Sequence, residues 1–183
     1  MGPDEPVLRV ATIDDEPAVD RLMKESASIL FPRFYDERRA ASAVRYVAQA
    51  DPLLLRDGTY FVLESGDEMV ACGGWSRRDR MYTGTGDGAD DARALDPATE
   101  AARVRAMFVR DDWTRRGLGR LILEACETAA REEGFRELTL VATLPGVPLY
   151  LACGFEPVEE LEVEMPDGVR IDCVSMTKPV APR

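Results

Sequence analysis

The sequence predicts an α/β domain on a mixed, mostly antiparallel central sheet, with its fourth and fifth strands forming a parallel pair. Three observations carry this prediction. Strand-like and helix-periodic segments alternate in the order β-α-α-β-β-β-α-β-α-β-β. Two β–β connections are short turns, Ser65-Gly66-Asp67-Glu68 and Met165-Pro166-Asp167-Gly168, as antiparallel hairpins require. A long helix separates the fourth strand from the fifth, which is the connection a parallel pair needs. The 183 residues carry no evident repeat or linker, so one domain spanning 1–183 is expected.

Taken in order, residues 7–12 read as a first strand. Asp14 or Asp15 can cap the helix that follows, and Pro17 suits its first turn. That helix, 16–30, is amphipathic through Val19, Leu22, Met23, Ile29 and Leu30. Phe31-Pro32-Arg33-Phe34-Tyr35 breaks it as an aromatic connector. A second helix is expected over 36–49, ended by Asp51-Pro52. Strands at 59–64 and 69–75 form the first hairpin. Cys72-Gly73-Gly74 inside the second of them suggests a bulge or a close approach of another backbone. Residues 84–91 are rich in Gly and Asp and read as a mobile surface loop. They lack the closing Glu of a Ca²⁺ loop, and a substrate lid is their other reading. Residues 104–109 are an apolar, buried fourth strand. The helix at 118–133 places Leu118, Leu121, Ile122, Ala125, Cys126 and Ala129 on one face, and Gly134 stops it. A buried strand at 138–142, a proline-bounded short helix, and a last hairpin of 156–164 and 169–178 complete the chain.

Composition excludes several classes. Hydrophobic content is 45% and charged content 31%, as in a soluble globular protein. No apolar run is long enough to span a bilayer. The acidic, proline-rich start, Met-Gly-Pro-Asp-Glu-Pro, resembles neither a secretory nor a myristoylation signal, so the cytoplasm is the expected setting. A net charge of −11 argues against nucleic-acid binding and favours a cationic partner only faintly. The four cysteines form no C-x-x-C pair and lie in apolar segments, so reduced core residues are expected. There is no histidine, which removes His-based triads, His metal sites and the usual general base. No metal site is expected.

The chemistry concentrates in residues 103–120. A buried strand leads through Arg110, Asp111 and Asp112 into Arg115-Arg116-Gly117-Leu118-Gly119-Arg120, which opens a helix. Such a strand–glycine loop–helix turns backbone N–H groups and a helix N-terminus toward one point, which suits a phosphate. The glycines let the backbone approach an anion closely. Arg110, Arg115, Arg116 and Arg120 make this stretch locally basic in an acidic chain. A dinucleotide fingerprint is not matched, because Ile122 stands where its third glycine would be.

With these residues in view, the chain resembles the GNAT superfamily of N-acetyltransferases. The order of elements agrees along nearly its whole length. The family's acetyl-CoA pyrophosphate loop, Gln/Arg-x-x-Gly-x-Gly/Ala, is matched by Thr114-Arg115-Arg116-Gly117-Leu118-Gly119, with Thr in the first position. Its late Tyr-x-x-x-Gly-Phe is matched by Tyr150-Leu151-Ala152-Cys153-Gly154-Phe155. Where the family often has Asn seven residues before that Tyr, this chain has Thr143.

The resemblance implies that the fourth and fifth strands splay apart and take acetyl-CoA between them. Met107, Phe108 and Val109 would pair with the pantetheine arm through their backbone. Arg115, Arg116, Gly117, Leu118, Gly119 and Arg120 would hold the pyrophosphate, with Thr143 on the facing strand. Tyr150 would protonate the departing thiolate; its plainer reading is a core aromatic. Some protein-acetylating members carry a Glu six residues before the position of Val109, where this chain has Arg103. Glu100 is the replacement base the sequence offers, although it also reads as an exposed loop carboxylate; a water chain to solvent is the other option. The acceptor pocket would draw on Phe31, Phe34, Tyr35 and Trp75, with Met81 and Tyr82 beside them.

The function so implied is transfer of an acetyl group from acetyl-CoA to a primary amine of a small molecule or protein, by direct attack in a ternary complex. The partners are then an amine acceptor and no nucleic acid or membrane, and family analogy suggests a homodimer. A non-catalytic acyl-CoA-binding or regulatory domain of the same fold is the alternative, supported by Arg103 and Thr143.

Overall fold

The computed structural model describes residues 5–81 and 92–182. The expected 84–91 loop and Tyr82 lie outside the described residues. Seven strands form one sheet: β1 (Val7–Val10), β2 (Tyr60–Ser65), β3 (Glu68–Ser76), β4 (Ala102–Val109), β5 (Glu137–Thr143), β6 (Glu156–Glu164) and β7 (Arg170–Pro179). Their spatial order is β1-β2-β3-β4-β5-β7-β6. β4 and β5 are parallel, and every other neighbouring pair is antiparallel. The helices are α1 (Glu16–Leu30), α2 (Glu37–Tyr46), α3 (Pro52–Asp57), α4 (Leu118–Glu132) and α5 (Val147–Ala152). Two clusters of buried side chains cover the sheet. One joins α1 and α2 to Val62, Phe108, Ile171 and Cys173, and the other joins α4 and α5 to Val104, Leu138, Leu140 and Met176.

α3 was not legible as a helix in the sequence. The sequence places Asp51 at the end of a helix, but it starts one: its carboxylate accepts from the Leu53 N–H, Pro52 occupies the first turn, and Gly58 closes it at φ 70°. The preceding helix therefore stops at Tyr46 and not at 49. The buried stripe of α4 is also rotated from its expected position. Leu123 and Ala130 face inward with Ile122 and Cys126, while Leu121 is 45% exposed. Among the described residues no helix is long and apolar enough to cross a membrane.

The feature that makes the site is how β4 parts from β5. The pair is joined only at Ala102 opposite Leu138 and Arg103 opposite Thr139. Beyond that the strands diverge, and a bulge accompanies the divergence. Between Cys72–Phe108 and Gly74–Arg105, the single residue Gly73 faces both Ala106 and Met107. Ala106 takes φ 52°, a conformation costly for a residue with a Cβ, and Tyr60 Oη donates to its carbonyl at 2.6 Å. The glycine pair in β3 thus marks the bulge, although the extra residue belongs to β4. A Cβ on Gly73 would lie 2.7 Å from Met107 Sδ, and one on Gly74 would lie 2.5 Å from the Thr59 carbonyl.

Candidate active site

A cleft of about 790 Å³ opens where β4 and β5 separate. One wall is the end of β4, Met107 to Val109. Arg110 N donates to Val70 O on β3, so the alternation along the strand turns the polar groups of Phe108 toward β3 as well. The backbone of Val109, and by the same alternation that of Met107, faces the cleft. Phe108 was expected to offer backbone groups there. It contributes its ring instead, tilted against Phe31 at 6.5 Å. The carbonyl of Val109 already accepts from Ser26 Oγ at 2.8 Å, so its N–H is the polar group left free.

The floor is the loop between β4 and α4. Arg115 at φ 63° and Gly117 at φ 80° are left-handed, an alternation that turns backbone N–H groups to one side. Leu121 N–H is the first to close an intrahelical bond, to Gly117 O. The N–H groups of Leu118, Gly119 and Arg120 are therefore open at the positive end of a 15-residue helix. Gly119 has a second task. A Cβ there would meet Leu149 Cδ2 at 2.7 Å, so this glycine also lets α5 pack onto α4.

Not all four arginines reach the cleft. Arg110 is held by Asp112 at 2.6 Å and Glu68 at 2.9 Å. The Arg116 guanidinium stacks over Trp113, 4.5 Å from the ring centroid. Arg115 and Arg120 line the cleft, and Arg120 also donates to the Ala152 carbonyl at the end of α5.

The far wall comes from the end of β5 and from α5: Thr143, Pro145, Gly146, Leu149 and Tyr150. Tyr150 is 8% exposed, and its ring meets Phe155 edge-on at 5.7 Å. Burial pushes its phenol well above the ordinary value, which keeps the hydroxyl protonated. That hydroxyl has no hydrogen-bond partner among the described residues, and Tyr150 lines the cleft.

The remaining nominated residues divide. Phe31 lines the cleft and is buried. Tyr35 does not line it; its hydroxyl donates to Asp172 O at 2.8 Å and accepts from Leu144 N at 2.9 Å. Phe34 is 44% exposed on the connector, away from the cleft. Trp75 is 1% exposed, edge-on to Phe135 at 5.8 Å beneath the Arg77 guanidinium, and so belongs to the core. Met81 is half-buried at the edge of the described residues. Glu100 sits beyond the opposite end of β4, roughly 20 Å from the cleft by strand rise. Arg93 grips it bidentately, at 2.6 and 2.9 Å, and draws its carboxyl down to about 2. The structure therefore does not bring Glu100 to the site as a base. Of the described residues that line the cleft, Asp111 alone is a carboxylate, and Arg33 lies 3.7 Å from it.

Sequence reasoning missed Ser26 and Gly146. Ser26 had a signal: it lies in the apolar stripe of α1 with Leu22, Met23 and Ala27, where a hydroxyl must find a partner. Gly146 had none beyond its place in a proline-bounded turn.

A splayed parallel pair, a helix start with open N–H groups and a buried tyrosine thus border one cleft. The model of the acetyltransferase (GNAT) family matches residues 21–155, and the chain belongs to that family. Solved structures agree on the fold. A GCN5-related N-acetyltransferase from Rhodopseudomonas palustris is 17% identical with a TM-score of 0.72, over 98% of each chain. The PaiA N-acetyltransferase of Thermoplasma acidophilum, in complex with coenzyme A, is 13% identical with a TM-score of 0.65, over 95% of this chain and 98% of its own. The ribosomal-protein-S18-alanine N-acetyltransferase of Escherichia coli is 18% identical with a TM-score of 0.59, over 97% and 96%. A comparison with curated protein sequences finds no match.

Proposed function

We propose that this chain is an N-acetyltransferase that moves an acetyl group from acetyl-CoA to a primary amine, on a small molecule or a protein, by direct attack in a ternary complex. The observation that carries the reading is that Tyr150, whose hydroxyl has no partner among the described residues, lines the same cleft as the start of α4. The residues fit the donor. The left-handed loop and the start of α4 suit a pyrophosphate, with Arg115 and Arg120 adding charge. The Val109 N–H and the Met107 backbone suit the amides of a pantetheine arm, and Thr143 faces them. The donor supplies an activated acetyl thioester. Tyr150 supplies the proton that the departing thiolate takes up, acting as general acid.

The amine must lose a proton before it attacks. Among the described residues, Asp111 lies 3.7 Å from Arg33 and Glu100 is remote, so neither carboxylate stands ready as base. Water carries that proton to solvent in this reading. A ribosomal-protein-S18-alanine N-acetyltransferase shares the fold, and the reading takes in both protein and small-molecule amines as acceptors.

Calorimetric titration tests donor binding, and release of CoA from acetyl-CoA tests turnover. Acceptors for the second assay are an alanine-initiated peptide, a lysine peptide and putrescine. The reading expects saturable binding and amine-dependent CoA release. Binding without release for any amine favours the non-catalytic alternative, and absence of binding overturns both.

A further inference from the structure

Among the described residues no polar group holds the Tyr150 hydroxyl, so its aim there is set by packing. One wall against the ring is Phe155. The other is Gly146, one helical turn earlier. A Cβ at Gly146 would lie 2.9 Å from Tyr150 Cε2 and 3.8 Å from Cζ, the carbon that bears the hydroxyl. Gly146 has φ −80° and ψ −21°, a conformation open to any residue. The backbone therefore does not call for glycine here; the ring does. A ring pressed at its edge cannot evade the contact as the tip of an aliphatic chain would.

The turn that carries Gly146 is itself held. It runs Leu144–Gly146, with Pro145 and Pro148 restricting its backbone. Its first N–H, that of Leu144, donates to Tyr35 Oη, and Tyr35 Oη donates to the Asp172 carbonyl on β7. Tyr35 is also fixed by an edge contact to Phe31 at 6.0 Å. One phenol thus ties the α1–α2 connector to the ends of β5 and β7, at the point where the chain turns to present Tyr150.

We propose that Gly146 and Tyr35 are positioning residues for the Tyr150 hydroxyl, Gly146 by leaving room for the ring and Tyr35 by anchoring the turn. The proposal rests on the reading of Tyr150 as the proton donor. Neither residue touches the reacting atoms. Each acts by placing the phenol, and a misplacement of about 1 Å can cost on the order of 100-fold in rate.

The test combines spectra with kinetics. The protein has five tyrosines, so ¹³C-tyrosine spectra are simple, and the Tyr150 signal is assigned by its loss in Tyr150→Phe. Gly146→Ala should move the Tyr150 ring signal in the absence of any acceptor. Turnover, read as CoA release with whichever of the peptides or putrescine is a substrate, should fall about tenfold or more while KM for acetyl-CoA changes little. In a Tyr150→Phe background, Gly146→Ala should cost nothing further. Tyr35→Phe, nearly isosteric, should repeat the pattern more weakly and keeps the test usable if Gly146→Ala folds poorly. An unmoved Tyr150 signal, or an equal loss with and without the Tyr150 hydroxyl, overturns the proposal alone. Full turnover in Tyr150→Phe overturns the proton-donor reading, and the proposal with it.

Discussion

The two ends of the β4–β5 pair are built from the same strands and have opposite characters. At the start, Ala102 and Arg103 pair with Leu138 and Thr139, and the end is sealed. Trp75 and Phe135 fill the space beside it. Ion pairs of Arg93 with Glu100 and of Arg103 with Asp79 cover it. At the finish, the bulge at Ala106 accompanies a divergence that leaves Val109 and Thr143 on facing walls of a cleft. Charged side chains at the sealed end pair with one another, although Trp75 Nε1 and Arg103 Nε are buried without a hydrogen-bond partner among the described residues. Polar groups at the open end, the α4 N–H groups and the Tyr150 hydroxyl, have no partners among the described residues. A protein tolerates such open polar groups where a ligand or water will meet them. The contrast is therefore one of access: the sealed end is packed, and the open end borders a cleft.

The contrast can be broken at either end. The largest effect is expected from Gly119→Glu. The new side chain would clash with Leu149 and set a carboxylate among N–H groups suited to a phosphate. Calorimetry with acetyl-CoA should show no measurable binding, and unchanged affinity would remove the loop from the site. Next comes Tyr150→Phe, which should lower kcat about 100-fold with little change in KM for acetyl-CoA. At the sealed end, Trp75→Ala should cost about 3–5 kcal/mol in denaturant unfolding while leaving acetyl-CoA affinity of the folded protein intact. Loss of affinity without loss of stability would return Trp75 to the site. The smallest effect is expected from Glu100→Gln, which should leave kcat and its pH profile unchanged. Its carboxyl, held down by Arg93, should affect stability instead, and only slightly for so exposed a pair. The Arg93 pair contributes above the ordinary carboxyl value of 4.5 and is lost as pH falls toward about 2. Thermal melts of Glu100→Gln and wild type should therefore differ above pH 4.5 and converge toward pH 2. A shifted pH–rate profile would restore Glu100 as base.

The open end was the more legible in sequence, because its signals are local. The Arg115–Arg120 loop shows its glycines in one short stretch, and Tyr150 stands in a fixed spacing from Gly154 and Phe155. Element order fixed the parallel pair. What could not be read was which side of a strand a residue serves. Trp75 and Glu100 lie next to the right strands but at the sealed end, and only the two-residue pairing of β4 with β5 shows this. The extra residue at Ala106 was hidden because its marker, Gly73-Gly74, sits on the neighbouring strand. α3 was hidden because Asp51-Pro52 can stop one helix or start another, and the choice depends on burial of Leu53, Leu54 and Leu55.

The most direct test is an amide-shift map of the assigned protein titrated with CoA. The open end is the cofactor cleft in this account. The signals of Val109, Arg115, Gly117, Gly119, Thr143 and Gly146 should move together with one dissociation constant. Those of Trp75, Glu100 and Arg103 should stay in place. Saturable shifts centred on Trp75 and Glu100, with Gly117 and Gly119 unmoved, would contradict it.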